Sequence, residues 1–167
     1  MPTIRLRVLF VFLVIEHQRR KILHFGITER PTPEWAAQQV VEAFAECDAK
    51  HYMIRDRDSI YGSEFRSRIQ SLGIREVVTA PRSPWQNAFV ERLIGSIRRE
   101  CLDHVVVLGR RHLRCRLKSY VDYYHRSRTH LALAKDAPLP RGVMPRGEII
   151  ALPQVGGLHY RYERRAA

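Results

Sequence analysis

The run from Pro81 to Cys101, Pro-Arg-Ser-Pro-Trp-Gln-Asn-Ala-Phe-Val-Glu-Arg-Leu-Ile-Gly-Ser-Ile-Arg-Arg-Glu-Cys, constrains this chain more than any other stretch. It opens as a proline-punctuated loop, in which Ser83 is placed to cap a helix with Pro84 in its first turn. At about 100° per residue, Val90, Leu93, Ile94, Ile97 and Cys101 fall on one narrow stripe that should be buried. Asn87, Glu91 and Arg98 follow the edge of that stripe. A carboxylate there, with an amide one turn before it and a guanidinium two turns after, is placed to hold a metal ion or a phosphate. A lone glutamate on an amphipathic helix is ordinarily just solvated. This one has acidic company.

The company lies upstream. His51-Tyr-Met-Ile-Arg-Asp-Arg-Asp58 reads as a short strand running into carboxylates, with turn chemistry at Asp58-Ser59. Between Asp56 and Glu91 lie 34 residues, enough for a helix, a strand and a loop that bring a strand end to a helix face. Asp56 to Phe65, followed by Ser83-Pro-Trp-Gln-Asn-Ala-Phe-Val-Glu-Arg92, resembles the second half of the DDE-type integrase and transposase core of bacterial insertion sequences. The later run Tyr123-Tyr-His-Arg-Ser-Arg-Thr-His-Leu-Ala-Leu133 is similar to the tail of the same core. The resemblance covers roughly residues 6 to 140.

The resemblance implies an RNase H-like fold, a mixed sheet flanked by helices, and an Asp-Asp-Glu acid set. It assigns Asp56 to the second acid and Glu91 to the third, with Asp58 as the alternative second acid and metal ligand. Asp56 is preferred because Tyr61 then stands where the family places an aromatic. Asn87 and Arg92 match neighbours of the third acid. His125, Arg128 and His130 match the tail motif, where packing and DNA contact are equally open. The implied cofactor is Mg²⁺ or Mn²⁺. Cutting an inert, anionic phosphodiester calls for two divalent ions, one activating the attacking oxygen and one stabilising the leaving oxygen. Oxygen ligands, chiefly carboxylates, suit such hard ions.

The chain departs from the family at its start. Phe12-Leu-Val-Ile-Glu-His-Gln-Arg-Arg-Lys-Ile matches the family's second strand, turn and third strand, and Met1–Arg7 contains no acid. The first strand and its Asp are therefore expected to be missing. Glu16 falls at a turn and Asp48 at a helix end, the wrong slots for replacement. A core lacking one of three ligands should hold its second metal poorly and be inactive alone. A sheet without its central strand should expose apolar edges.

Composition agrees with a nucleic-acid partner. The 167 residues suit one folded unit with a real core, and 45% are hydrophobic. The formal charge is +12, which points to a polyanion. From Arg92 to Arg128 ten Lys and Arg, including Arg98 and Arg99, face only Glu100, Asp103 and Asp122. Arg92, Arg98, Arg99, Arg128 and His130, with Asn87, are the candidate DNA contacts.

Cys47, Cys101 and Cys115 make no Cys-x-x-Cys pair and suit a reducing compartment. Cys101-x-x-His104 and His112-x-x-Cys115 offer zinc-ligand types in no recognised finger spacing, and Cys101 completes the apolar stripe. The apolar run Val8–Ile15 is too short to cross a bilayer. No small-residue cleavage site follows it, so it reads as a buried strand.

A turn at His17–Arg20 and a strand at Lys21–Thr28 complete an antiparallel hairpin. Thr32-Pro-Glu34 starts a helix with Ala37, Val40, Val41 and Phe44 on its apolar face, and Trp35 is a packing residue. A helix from about Ser63 ends at Gly73, a strand spans Ile74–Thr79, and a last long helix carries Leu113, Leu117, Tyr120, Val121 and Tyr124. The expected order is β-β-α-β-α-β-α-α, a core-like domain over residues 6–133 and a Pro/Gly/Arg-rich tail over 134–167 that is extended or loosely docked.

Three functions follow. The first is a fragment of a transposase or integrase core, inactive alone. The second is a basic DNA-binding module, acting as a homo-oligomer or by mixed assembly with an intact transposase. The third is an RNase H-fold nuclease completing its acids with another residue such as Glu16. Partners are DNA and no membrane, and the expected location is the nucleoid of a bacterial cytoplasm.

Overall fold

The computed structural model describes residues 1, 3, 7–45, 51–142 and 144–165; Cys47 and Asp48 lie outside them. Strand β1 (Phe10–Ile15) pairs antiparallel with β2 (Ile22–Thr28). Helix α1 (Pro33–Ala43) follows, then β3 (Tyr52–Arg55), α2 (Ser63–Ser71) and β4 (Arg75–Val78), which pairs parallel with β3. A 3₁₀ turn at Pro84–Asn87 leads into α3 (Ala88–Glu100), and α4 (Arg110–Arg126) is the longest helix. Two further strands, β5 (Glu148–Gln154) and β6 (His159–Arg165), form an antiparallel hairpin.

Local signals set most of these boundaries. The Thr32 hydroxyl accepts the Trp35 amide at 3.2 Å, and Pro33 takes the first position of α1, where its missing N–H costs nothing. Gly73, at φ 71°, takes the left-handed conformation that ends α2. Trp35 packs edge-on against Phe12 with ring centroids 6.0 Å apart. Ser83 does not cap the next helix; its hydroxyl donates to the Pro81 carbonyl at 3.2 Å instead. The first turn after Pro84 is 3₁₀, so Ala88 rather than Pro84 begins the α-helix.

Both pairing types of a mixed α/β sheet are present, but in separate two-stranded sheets. Each of β1 and β3 has one strand partner, and their other edges face a shared slot. Consecutive residues of both strands line it, from Phe12 to Gln18 and from His51 to Arg55. A strand turns alternate residues to opposite faces, so a cavity touching every successive residue lies along an edge. Phe10–Leu13 share one end of the slot with Ile54–Asp56, and Ile15–Gln18 share the other with His51.

Two apolar clusters hold the halves together. Phe12 and Val14 from β1 meet Ala36, Ala37 and Val40 from α1 and Phe65 and Ile69 from α2, which bridges the two sheets. On the other face Leu93, Ile97 and Cys101 of the α3 stripe pack with Leu113, Leu117, Tyr120 and Tyr124 of α4, together with Ile22, Ile27 and Val155. The stripe differs from expectation at two positions. Val90 is only partly buried and lines the slot, and Ile94 is 37% exposed, while Ser96 is buried, because the packed face of α3 centres on Leu93, Ser96 and Ile97. Of the two forms expected for the tail, the hairpin is docked: Val155 at its turn is buried in the α4 cluster.

Candidate active site

The hairpin turn and the start of α3 are pinned together. Arg20, in left-handed conformation at φ 61°, stacks its guanidinium 3.4 Å from the Phe89 ring centroid, and His17 meets the same ring edge-on at 4.7 Å. This contact sets α3 against β1 and places Glu91 at the mouth of the slot. Asp56, directly after the last residue of β3, arrives from the other side. Asp56, Asp58, Asn87, Glu91 and Ile94 all line one cleft of about 440 Å³. Asp56 and Glu91 thus border one cleft, from a strand end and a helix face.

The carboxylates are not equally available. The Asp56 Oδ1 accepts the Asp58 amide at 3.2 Å, and the Asp58 Oδ1 accepts the Ile60 amide at 3.1 Å and the Ser59 hydroxyl at 3.4 Å. Asp58 therefore closes its own turn. Glu91 is exposed. The Asn87 side-chain oxygen is buried and, among the described residues, has no hydrogen-bond partner. Such orphaned acceptors are uncommon, and Asn87 lines the acid-bearing cleft.

Oxygen donors of this kind suit Mg²⁺ or Mn²⁺. Convergence is what they lack: among the described residues no three His, Cys, Asp or Glu side chains come close enough to hold a metal ion. Asp56, Asp58 and Glu91 thus share a cleft without forming a ligand set. Glu16, the alternative acid, lines the opposite end of the slot and not the Asp56–Glu91 cleft. Tyr61, beside Asp56, packs edge-on against Phe65 at 4.7 Å and lies 5.0 Å from the Arg55 guanidinium. Burial, then the charges of Asp56 and Asp58, raise its phenol well above the ordinary range.

The basic candidates divide. Arg92, Arg98 and Arg99 are exposed on α3. Arg98 does not line the Asp56 cleft; it lies near the Met1 amine, whose pKa burial lowers first and Arg98 second. Arg128 has a different task from the one the tail motif suggests. Its Nε and Nη2 donate to both oxygens of Glu100 at 2.8 and 2.7 Å, and Nη2 also reaches the Ser96 hydroxyl at 3.2 Å. Tyr120 donates its hydroxyl to the same carboxylate at 2.8 Å. Burial alone would raise the Glu100 carboxyl, but the bonds from Arg128 and Tyr120 outweigh it and pull the pKa down.

Two histidines of the tail motif are structural. His125 accepts the Ile22 amide at 2.9 Å, which fixes its Nε2 as unprotonated, and burial lowers its pKa. His130 packs edge-on against Tyr124 at 5.0 Å, and burial followed by Arg128 pushes its pKa down to about 4. Neither carries the positive charge a phosphate contact wants at neutral pH. The zinc arrangement is absent as well: Cys101 is buried in the core, and His112 bonds the Leu108 amide and Arg116.

The sequence reading missed a second basic cleft, between the C-terminal end of α4 and β6. Arg141, Arg161, Tyr160 and Tyr162 line it. A signal was there to be read. Gly156-Gly157 separates a continuous apolar run, Ile149–Leu152, from the alternating His159-Tyr-Arg-Tyr-Glu163, a hairpin pattern that the four tail prolines obscured.

Comparison with known proteins bears on this geometry. Residues 72–138 match the family model of an integrase core domain, a span that includes Asn87, Glu91 and Arg128. The fold is similar to a chain in the cryo-EM structure of a simian T-cell lymphotropic virus intasome in complex with the PP2A regulatory subunit B56 gamma. That match has a TM-score of 0.62 at 18% identity, covering 91% of this chain and 59% of that one. The present chain thus spans about three-fifths of the length of its structural neighbour. No curated protein matches it significantly. Residues 72–138, less than half of the chain, thus match an integrase core domain, within an α/β fold consistent with the RNase H-like type.

Proposed function

We propose that this chain is a DNA-binding portion of an integrase- or transposase-type catalytic core that does not cut DNA by itself. The observation that carries the reading is the shared cleft, with Asp56 at a strand end and Glu91 one turn into a helix. This is the arrangement of acids that phosphodiester chemistry uses. Among the described residues no third donor converges on them, which accords with the catalytically silent half of the proposal. The net charge of +12 supports DNA as the partner.

Asp56 and Glu91 would supply two carboxylates to Mg²⁺ or Mn²⁺ once another ligand completed the set, with Asn87 supporting Glu91 from the preceding turn. Arg92 and Arg99, exposed on the same helix, would contact the phosphate backbone. A homo-oligomer, or assembly with an intact transposase, is the setting in which a silent core could matter, by occupying DNA or a subunit position.

Supercoiled plasmid incubated with the chain and Mg²⁺ or Mn²⁺ tests the proposal. Salt-sensitive binding is expected, with nicking no greater than that of an Asp56→Ala/Glu91→Ala variant. Nicking by the wild type above that variant would overturn the silent assignment and favour a nuclease with an additional acid.

A further inference from the structure

We propose that the β5–β6 hairpin is a binding platform for single-stranded nucleic acid, with unpaired bases stacked on Tyr160 and Tyr162 and the phosphates led into the cleft beside β6. The inference rests on the reading of DNA as partner, but not on any reading of catalysis. The hairpin lies outside the segment that matches the integrase core domain.

The register places Tyr160 across from Pro153, Tyr162 across from Ala151 and Arg164 across from Ile149. All six residues are exposed, so they form one face, while Leu152, Ile150 and His159 on the other side are partly covered. His159 anchors that covered side, stacking on Tyr123 at 4.5 Å and bonding the Glu100 carbonyl at 2.8 Å. Tyr160 is 53% and Tyr162 61% exposed. Rings two residues apart on a strand stand about 7 Å from each other, room for successive bases of an extended strand. In a duplex the base faces are already stacked on one another, so exposed tyrosine faces select unpaired bases.

The cleft supplies the anion site. Its volume is about 560 Å³, and it runs along the outer edge of β6, where Arg141 donates to the Tyr162 carbonyl at 3.3 Å. Two buried polar atoms in its lining, the Ser127 hydroxyl and the Arg161 Nε, have no hydrogen-bond partner among the described residues. Both can donate to a phosphate oxygen. Glu100, the acid in the lining, is already matched by Arg128, and Glu163 is paired with Arg161 through Nη2, which leaves Nε without a partner. An unpartnered guanidinium N–H and an unpartnered hydroxyl beside two exposed aromatic side chains make a phosphate-and-base site.

Fluorescence anisotropy with a labelled oligothymidylate and with a duplex of equal length, both in EDTA, tests the platform. The Tyr160→Ala/Tyr162→Ala variant should bind the single strand at least about tenfold more weakly, with duplex affinity nearly unchanged. The Tyr160→Phe/Tyr162→Phe variant should keep wild-type affinity, since stacking needs the ring and not the hydroxyl. Photocrosslinking of an iodouracil oligonucleotide to the wild-type chain should label Tyr160 or Tyr162. Unchanged single-strand affinity in the alanine variant, or crosslinks confined to α3 and α4, would overturn the inference while leaving duplex binding intact. A wild-type chain that binds neither probe would overturn the DNA reading itself.

Discussion

Glu91 and Glu100 stand on the same helix, a turn from its start and at its end, and the protein treats them as opposites. Glu91 is exposed at the rim of the cleft, whereas Glu100 is held by a two-pronged Arg128, the Tyr120 hydroxyl and a packed neighbourhood. A carboxylate whose acceptor sites are filled is committed to the fold. One left at a cleft edge, near an unpartnered amide oxygen, remains available to a ligand. Residue type and helical position do not separate the two; their partners do.

The largest effect expected from breaking this contrast is on the Glu100 side. Arg128→Ala strands a carboxylate with part of its hydration already lost. Because about a quarter of each side chain still meets solvent, the expected loss is about 2–4 kcal/mol, below that of a fully buried pair. Urea denaturation measures it. Glu100→Gln combined with Arg128→Met should cost less than the sum of the single changes, since neither then leaves an unpaired charge. Tyr120→Phe removes one charge-assisted bond from the same group and should cost about 1–2 kcal/mol.

Acid should act on the same end of the molecule. His125 and His130 have folded-state pKa values below the ordinary one, His130 down to about 4. The unfolded chain therefore binds more protons between about 6.5 and about 4, and stability falls as pH drops through that window. Glu100, also lowered, extends the loss further into acid. Urea midpoints at neutral pH and near pH 5 should differ accordingly, and by less in a His130→Asn variant. The smallest effect belongs to the other end of α3. Glu91→Gln should shift stability by no more than about 0.5 kcal/mol, as for a surface residue, and DNA affinity should be unchanged or slightly higher.

Those two ends of α3 also mark what a linear reading could and could not see. The first hairpin, the Thr32 cap, the Gly73 stop and the order through α4 carry local chemistry, and all are found where that chemistry puts them. That Asp56 and Glu91 border one cleft could be anticipated, because a strand end and a helix start announce themselves in hydrophobic pattern. The pairing of Arg128 with Glu100 could not. Twenty-eight residues separate them, and on paper each is an ordinary charge on a helical stretch. Their union depends on how α3 and α4 cross, which periodicity does not encode. The β5–β6 hairpin was written in an apolar run, a Gly-Gly turn and the alternation of β6, but Pro153 inside β5 argued against a strand. An edge position tolerates that proline.

The slot between β1 and β3 has a consequence for the backbone itself. Along Phe10–Ile15, amides pointing at β2 are locked in a ladder, while the intervening ones open onto the gap. Hydrogen exchange there should alternate slow and fast from residue to residue, a comb-like profile that a fully enclosed strand never gives. Any peptide that slid between the two edges would smooth the comb, and in doing so would also decide how far apart the two acid-bearing halves are held.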